Sequence, residues 1–485
     1  MKAVLSHQKT LSTGVPIWIG TDLVLLPHGY IGFPQADIDE DVPDDPHVIV
    51  LQFPNTGIGG YAIQEEGIIA DLCRVFPMWR LDHIHQLGFL QAPYYREHFM
   101  RDLLSKGSRY LHSHDVFVIA RLIGVNLRLS RILQNNLDTA ALLHDIQTPA
   151  GGDSLMLVDY ANLSEERNFW LIFEQADWSE VRERYSLDPQ MIIEAVNGKG
   201  LLGEILDIAD KLAYVARDLY LTMHQIHAGA SRGMHGLLML ERLGKEFTEA
   251  CSIWDSIELV DGKLVFTDVR RLVTFLKIRT LLFRELYYSP ESRFGEYMMS
   301  RIFGKVLYNK GILTRDNLLK MGDEELIWLF DKHFGSGLIL DVCSSEYTRC
   351  ELFETVKEAK GFLKGLKRRG ITFAFIDDDR KGIKPGVHFL VLTLRGPLPL
   401  SQAYPVAAAK LDKMARLDPR MVRVYYLDGD PKLPRDKLES LKRSFANKWP
   451  DRAYEWCRSA ISTASQQLRS ILKKLRALFS KTAAP

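Results

Sequence analysis

The chain lacks most of the features that would set it apart from ordinary globular proteins. Five cysteines are scattered through 485 residues, too few and too irregular for a disulfide framework. Cys343 and Cys350 stand seven apart, which fits no common zinc pattern, and the sparse usage suits a reducing compartment. There is no run of about 18 apolar residues, the least that a membrane-crossing helix needs. The first residues, Met1 to Lys9, lack the apolar core of a secretory leader. These two absences lead us to expect a cytoplasmic protein. Charge of one sign is missing as well: 62 basic residues against 61 acidic ones leave +1, so no global field draws the chain to nucleic acid. Internal repeats and long low-complexity segments are absent, which excludes a repeat array.

What remains is a large globular chain. Apolar content is 46% and charged content 25%, both ordinary for such proteins. The length is too great for one small core and implies a large helical body with added lobes, or two to three domains. Residues 1–65 read as a β-rich segment: Val15 to Gly20, Leu23 to Pro34 and His47 to Phe53 are strand-like, and an acidic loop spans Asp37 to Asp45. From 66 to 345 the periodicity is helical, with runs at Val116–Ile132, Leu202–Ile226 and Val269–Tyr287. From 346 to 430 the pattern is mixed. Gly370–Ile376, Val387–Leu394 and Met421–Leu427 read as strands and Lys360–Arg369 and Val406–Arg416 as helices, so an α+β lobe is expected. Residues 431–485 read as a basic helical tail. There Leu468, Ile471, Leu472, Leu475, Leu478 and Phe479 form one stripe, with Arg469, Lys473, Lys474, Arg476 and Lys481 on the other faces. Docking of this helix on its own protein or on a second subunit is favoured over contact with nucleic acid or a membrane, because most amphipathic helices cover a core. The fold class expected is therefore mostly α, with a β-containing N-terminal segment and a C-terminal α+β lobe.

One dipeptide stands out for its chemistry. His144-Asp145 ends the apolar run Leu137-Asp-Thr-Ala-Ala-Leu-Leu143 and offers an imidazole nitrogen beside a carboxylate oxygen. Alone it means little, since 14 histidines make roughly one His-Asp pair by chance. A second copy, His114-Asp115, reads as a solvated or supporting pair. The difference lies in His112 upstream and Asp210 downstream, on other helical segments. His112, His144, Asp145 and Asp210 make two imidazoles and two carboxylates. Such a set favours a divalent ion that accepts nitrogen and oxygen together, Mn, Fe, Ni or Zn, or Mg if waters complete its shell. Asp210, Tyr214 and Asp218 follow at steps of four and share one helix face, so a ligand, a phenol and a second carboxylate would line one wall.

These residues resemble a known family. The order Arg109-x-x-His112-Ser113, Leu143-His144-Asp145, and Asp210-Lys211-x-x-Tyr214-x-Ala216-Arg217-Asp218 is similar to that of the HD-type deoxynucleoside triphosphate triphosphohydrolases. That group includes the sterile-alpha-motif/HD enzyme of animals and the bacterial dGTPases. Arg80-Leu81 with Gln86-Leu87-Gly88, and Arg279 with Tyr287, resemble further stretches of it, so the likeness covers roughly 66 to 340. The resemblance implies an HD-domain helical bundle that hydrolyses a deoxynucleoside triphosphate to deoxynucleoside and inorganic triphosphate. It implies that His112, His144, Asp145 and Asp210 hold the metal, and that Arg109, Lys211 and Arg279 grip phosphates. It implies that Tyr214 packs under the sugar, that Gln86 and Asp218 bond the 3′-hydroxyl, and that Tyr287 flanks the base. It further implies a homo-oligomer, with a nucleotide effector left open.

The sequence departs from that pattern where protons move. The animal-type enzymes carry two further histidines after the His-Asp pair, and Thr148 and Asp153 stand in those places. The family's acid-supplying histidine is matched by Glu165, a carboxylate that can act as acid or base if its pKa is tuned. Arg109, Asp153 and Glu165 are thus the catalytic candidates. Asp153 also resembles a carboxylate of the HD 5′-nucleotidases, which leaves a deoxynucleotide phosphomonoesterase as one alternative. A nucleotide-binding sensor or scaffold that keeps the metal and has lost its acid/base group is another. Glu165 separates the enzyme from the scaffold: directed into the site it favours catalysis, and facing solvent it favours binding alone.

Overall fold

The computed structural model describes residues 8–10, 16–18, 48–53, 59–64, 67–88, 107–175, 177–227, 252–334, 348–369, 371, 374–378, 383–415 and 422–427. The fold is mostly α with small sheets. Strands β1 (Gln8–Thr10), β2 (Pro16–Trp18), β3 (Val48–Phe53) and β4 (Gly59–Gln64) form an antiparallel sheet in the order β1-β2-β4-β3. The expected strand at Leu23–Pro34, the acidic loop at Asp37–Asp45 and the basic tail from 431 lie outside the described residues.

The helical body begins with α1 (Ile68–Val75) and centres on three longer helices. These are α2 (Arg109–Asn126), α3 (Arg131–Leu143) and α4 (Gly200–His227). Helix α2 starts where the Ser108 side chain accepts from the Leu111 amide, and α3 where Ser130 accepts from Leu133. Between them Arg128 takes a left-handed φ of 56°, so the helical run expected at Val116–Ile132 is two helices rather than one. The second serine cap and the left-handed residue give the chain a turn that apolar spacing does not encode. Leu137, Ala140, Ala141, Leu142 and Leu143 of α3 enter the main core with Val116, Ile119 and Ile123 of α2 and Ile205, Leu212 and Val215 of α4. The Arg121–Asp138 ion pair, at 2.9 Å and fully buried, ties α2 to α3.

Of the two expectations for His114-Asp115, solvated or supporting, the structure shows the second. Both side chains are fully buried, and Asp115 takes Nε and Nη2 of Arg217 at 2.6 and 2.5 Å. This ion pair joins the two helices that carry His112 and Asp210. His114 gives its Nδ1 hydrogen to the Tyr110 carbonyl at 2.9 Å, and burial lowers its pKa from 6.5 to about 4. The unfolded chain therefore binds a proton between those two values that the folded chain refuses, so stability falls as pH drops from 6.5 towards 4. The expected loss from this group is about 3 kcal/mol. Urea melts across that range should show it, and His114→Phe should flatten the slope.

Helix α5 (Val269–Leu282) runs on into a single π-helical turn at Phe283–Tyr287, which shifts the last residues of the expected Val269–Tyr287 helix around its axis. A second core cluster gathers α6 (Pro290–Tyr297), the segment Met298–Gly304 and α7 (Asp323–Phe334).

The mixed pattern after 346 resolves into two places. Strands β5 (Ile257–Val260), β6 (Lys263–Phe266), β9 (Leu390–Thr393) and β10 (Gly396–Pro399) share one sheet, in which β6 and β9 run parallel at Phe266 and Val391. With Val391, Leu400 and Leu411 in the main core, residues 390–415 pack on the helical body. Strands β7 (Thr348–Phe353), β8 (Ala374–Asp377) and β11 (Val422–Leu427) form a separate antiparallel sheet, order β7-β11-β8. Helix α8 (Val356–Arg368), opened by a Thr355–Glu358 capping box, covers it through Ala359 and Leu366. Phe375 and Tyr425 of this sheet insert into the second cluster, where Phe375 stacks on Tyr297 at 3.6 Å between centroids. Among the described residues no helix is long and apolar enough to cross a membrane.

Candidate metal-centred site

Helices α2, α3 and α4 bring the sequence-predicted ligands together. His112 lies in the first turns of α2, His144 closes α3, Asp145 follows it, and Asp210 sits mid-way along α4. One ligand atom each from His112, His144 and Asp210 lie within 4.8 Å of one another. His112 Nε2 is 3.0 Å from Asp210 Oδ1 and 3.8 Å from Asp145 Oδ2, and His144 Nε2 is 3.5 Å from Asp145 Oδ1. Asp145 thus borders the three-residue cluster, with its other contacts directed to Arg109.

The protonation pattern of the cluster suits a cation. His144 Nδ1 is 2.8 Å from the Ala141 carbonyl, which can only accept, so Nδ1 carries the hydrogen and Nε2 keeps its lone pair. That Nε2 is buried without a hydrogen-bond partner. Burial works to lower the His112 pKa, but its contact with Asp210 and the charge of Asp145 outweigh that and raise it. The buried His144 lone pair beside carboxylates is unsatisfied as protein alone. A divalent ion with mixed nitrogen and oxygen preference fits this donor set.

Arg109 stands beside the cluster. Its Nη1 donates to Asp145 Oδ2 and its Nη2 meets Asp153 Oδ1, each at 2.9 Å, while Nε has no partner. Burial opposes its charge, but Asp145, Asp153 and Glu165 outweigh that and hold its pKa above the ordinary value. Burial likewise works to raise the Asp145 pKa, and Arg109, His144 and His112 overcome it and keep the carboxylate ionised well below the usual range. Glu165 behaves oppositely. It is buried, receives the Thr148 hydroxyl, and is held well above its ordinary pKa by burial first and then by Asp145. Its neighbour Glu166 is exposed and capped by Ser164 at 2.7 Å.

A cavity of about 550 Å³ opens over this cluster. Its wall includes His144, Asp145, Asp210, Arg109, Asp153 and Glu165, and also Gln86, Tyr214, Asp218 and Tyr287. Gln86 Oε1 is buried without a donor. The Tyr287 hydroxyl donates to Asp218, whose pKa burial raises to about 7, and the rings of Tyr214 and Tyr287 meet edge to face at 6.5 Å. The π-helical turn delivers Tyr287 to that contact. Two predicted phosphate ligands stand behind the wall. Lys211 is bound to Asp207, and Arg279 donates through Nε to the Tyr214 hydroxyl and through Nη1 to the Lys384 carbonyl at 2.7 Å.

Comparison with known proteins supports the architecture. No protein-family model matches the sequence, and no curated relative matches it. Solved structures do. A hypothetical protein from Aquifex aeolicus is similar at a TM-score of 0.56 with 17% identity, over 82% of this chain and all of that one. A phosphohydrolase from Bacteroides thetaiotaomicron is similar at 0.56 with 15% identity, over 79% of this chain and all of that one. At such identities the likeness is one of fold, and the chain shares the fold of that phosphohydrolase.

Sequence reasoning missed the far end of the cavity. Tyr288, Arg293, Glu296 and Ser154 line it. Arg293 Nε and Nη2 reach Asp377 of β8 at 3.1 Å, Nη1 pairs with Glu296, and Ser154 donates to Glu296 at 3.2 Å. Arg423 of β11 lies over the Tyr288 ring, 4.6 Å from its centroid. The only sequence signal was the charge of Arg293, and its partner stands 84 positions away.

Proposed function

We propose that the protein is a metal-dependent phosphohydrolase and that its substrate is a deoxynucleotide, most fittingly a deoxynucleoside triphosphate cleaved to deoxynucleoside and inorganic triphosphate. The observation that carries the reading is the His112/His144/Asp210 cluster, in which the buried Nε2 of His144 has no protein partner, bordered by Asp145 and Arg109. A divalent ion bound there would lower the pKa of a water and neutralise a phosphate oxygen.

The chain's own residues supply the rest. Arg109, fixed by two carboxylates, holds its guanidinium in the cavity wall, where its charge faces a phosphate. Glu165, protonated further up the pH scale than a free glutamate, can hand a proton to the leaving oxygen while Thr148 holds its carboxyl group. Gln86 and Asp218 both line the cavity and would bond a sugar hydroxyl. Tyr214 and Tyr287 supply two rings, inclined at 65° to each other, for the sugar and the base. Lys211 and Arg279 could reach phosphates only from behind Asp207 and Tyr214, so Arg109 is the leading phosphate ligand. The reading includes a homo-oligomer working in the cytoplasm.

One observation favours a phosphomonoesterase as the second reading. Asp153 pairs directly with Arg109 next to Asp145, and the wall carries many more carboxylates than arginines, which suits a substrate with fewer phosphates. The two readings differ in product. Anion-exchange analysis after incubation with each dNTP and dNMP and Mn²⁺ should give inorganic triphosphate from a dNTP. Release of orthophosphate from a dNMP, with dNTPs untouched, would move the assignment to the second reading.

A further inference from the structure

We infer that Asp323 is a positioning residue for this reaction, an inference that rests on the phosphohydrolase reading. Asp323 opens α7 and its side chain is fully buried. It does not line the cavity. Its Oδ2 accepts the His85 amide at 3.0 Å and meets His85 Nδ1 at 2.9 Å, and its Oδ1 accepts the Gly151 amide at 2.7 Å. One carboxylate thereby holds two separate backbone segments. Residues 84–88 carry Gln86, and residues 146–152 run from Asp145 to Asp153 and include Thr148, the partner of Glu165.

The two segments cross behind Arg109, at glycines. Gly88, Gly151 and Gly152 have φ of 49°, 83° and 58°. A Cβ on Gly88 would stand 2.6 Å from the Gly151 carbonyl oxygen, and one on Gly152 would stand 3.8 Å from Arg109 Nη2. The backbones touch there, so a shift in either moves the other and presses on the guanidinium. The stretch from 146 to 152 is held on both sides. Arg80 Nη2 donates to the carbonyls of Ile146 and Thr148 at 3.0 and 2.7 Å, the Ala150 amide donates to Leu318 at 3.0 Å, and Arg315 reaches Gln147. Asp323 is the tie common to both segments. Removing it takes that acceptor from the buried Gly151 amide and the half-buried His85 amide and loosens the crossing.

His112, His144 and Asp210 stand on α2, at the end of α3 and on α4, and the hydrogen bonds of Asp323 go to His85 and Gly151 rather than to these residues, although residues 84–88 also meet the start of α2 where the Arg109 amide donates to the Ile84 carbonyl at 2.7 Å. Loss of the clamp should misplace Asp153, Thr148 with Glu165, and Gln86 while the ion still binds. A displacement near 1 Å costs on the order of a hundredfold in rate.

The test uses full-length D323A and D323N with Mn²⁺ and the dNTP that the wild-type protein hydrolyses fastest of the four, together with metal content and backbone hydrogen exchange. D323A should keep wild-type metal stoichiometry, hold KM within about threefold, and lose about a hundredfold in kcat. The amides of His85 and Gly151 should exchange at least about tenfold faster. D323N keeps one carboxamide oxygen for one of the two segments, so its kcat should fall between D323A and wild type. If D323A does not fold, D323N carries the same readings. Unchanged exchange at both amides with wild-type turnover would overturn the inference. So would metal content, melting temperature and kcat falling together, which would make Asp323 a part of the scaffold alone. A wild-type protein that hydrolyses none of the four dNTPs or dNMPs would overturn the proposed function instead, and amide exchange would still report the clamp.

Discussion

Alanine at His144 is expected to remove metal binding and phosphate-ester hydrolysis together. His144 Nε2 is a buried lone pair with no protein partner, held in that tautomer by the Ala141 carbonyl. No neighbouring side chain can replace it, because His112 and Asp210 face it from other helices. An ion in such a site contributes several kcal/mol to stabilising charge in the transition state, so activity should fall by about a thousandfold or more. Metal content by elemental analysis should fall with it. The fold should survive, since His144 lies at a helix end and partly faces the cavity. Asp145→Ala should cost more stability than His144→Ala, because it also leaves the buried Arg109 guanidinium short of a partner. Hydrolysis that persists in the metal-free His144→Ala, Asp145→Ala double variant would contradict the assignment.

Glu165→Gln should separate turnover from binding. The amide keeps an oxygen for the Thr148 hydroxyl and nearly the same volume, yet cannot give or take a proton. General acid or base catalysis is worth roughly 10²–10⁴-fold, so kcat should fall in that range while KM moves little. The pH profile adds an independent sign. Burial and Asp145 raise the Glu165 pKa, so its proton is present at low pH and lost as pH rises through that value. If Glu165 is the acid, the wild-type rate falls on the alkaline side and the glutamine variant lacks that limb. Unchanged kcat would return Glu165 to a structural role at the first turn of its short helix.

The sequence disclosed most of what local patterning can disclose. That His112, His144 and Asp210 would gather was legible because they lie in helical runs whose apolar spacing orients them, with Asp145 bordering the group. The run at Val116–Ile132 misled because a cap at Ser130 and a left-handed Arg128 end one helix and start another without breaking the apolar rhythm. The solvated reading of His114-Asp115 failed for a different reason. Charged and polar residues look solvated until a partner is known, and Arg217 is 102 positions away. The same limit hid Arg293 with Asp377, and Asp323 with His85 and Gly151. Tertiary pairing over such separations leaves no local trace. The strand pattern after 346 was visible, but not that β9 would join β6.

The central claim is that catalysis depends on an ion at His112, His144 and Asp210. The most direct measurement is a metal titration of chelator-stripped protein, followed by dNTP hydrolysis. The account predicts no turnover without metal, and activity that rises with Mn²⁺ and saturates at one ion per chain. Full hydrolysis by the stripped protein, or saturating Mn²⁺ binding that His144→Ala leaves unchanged, would contradict it.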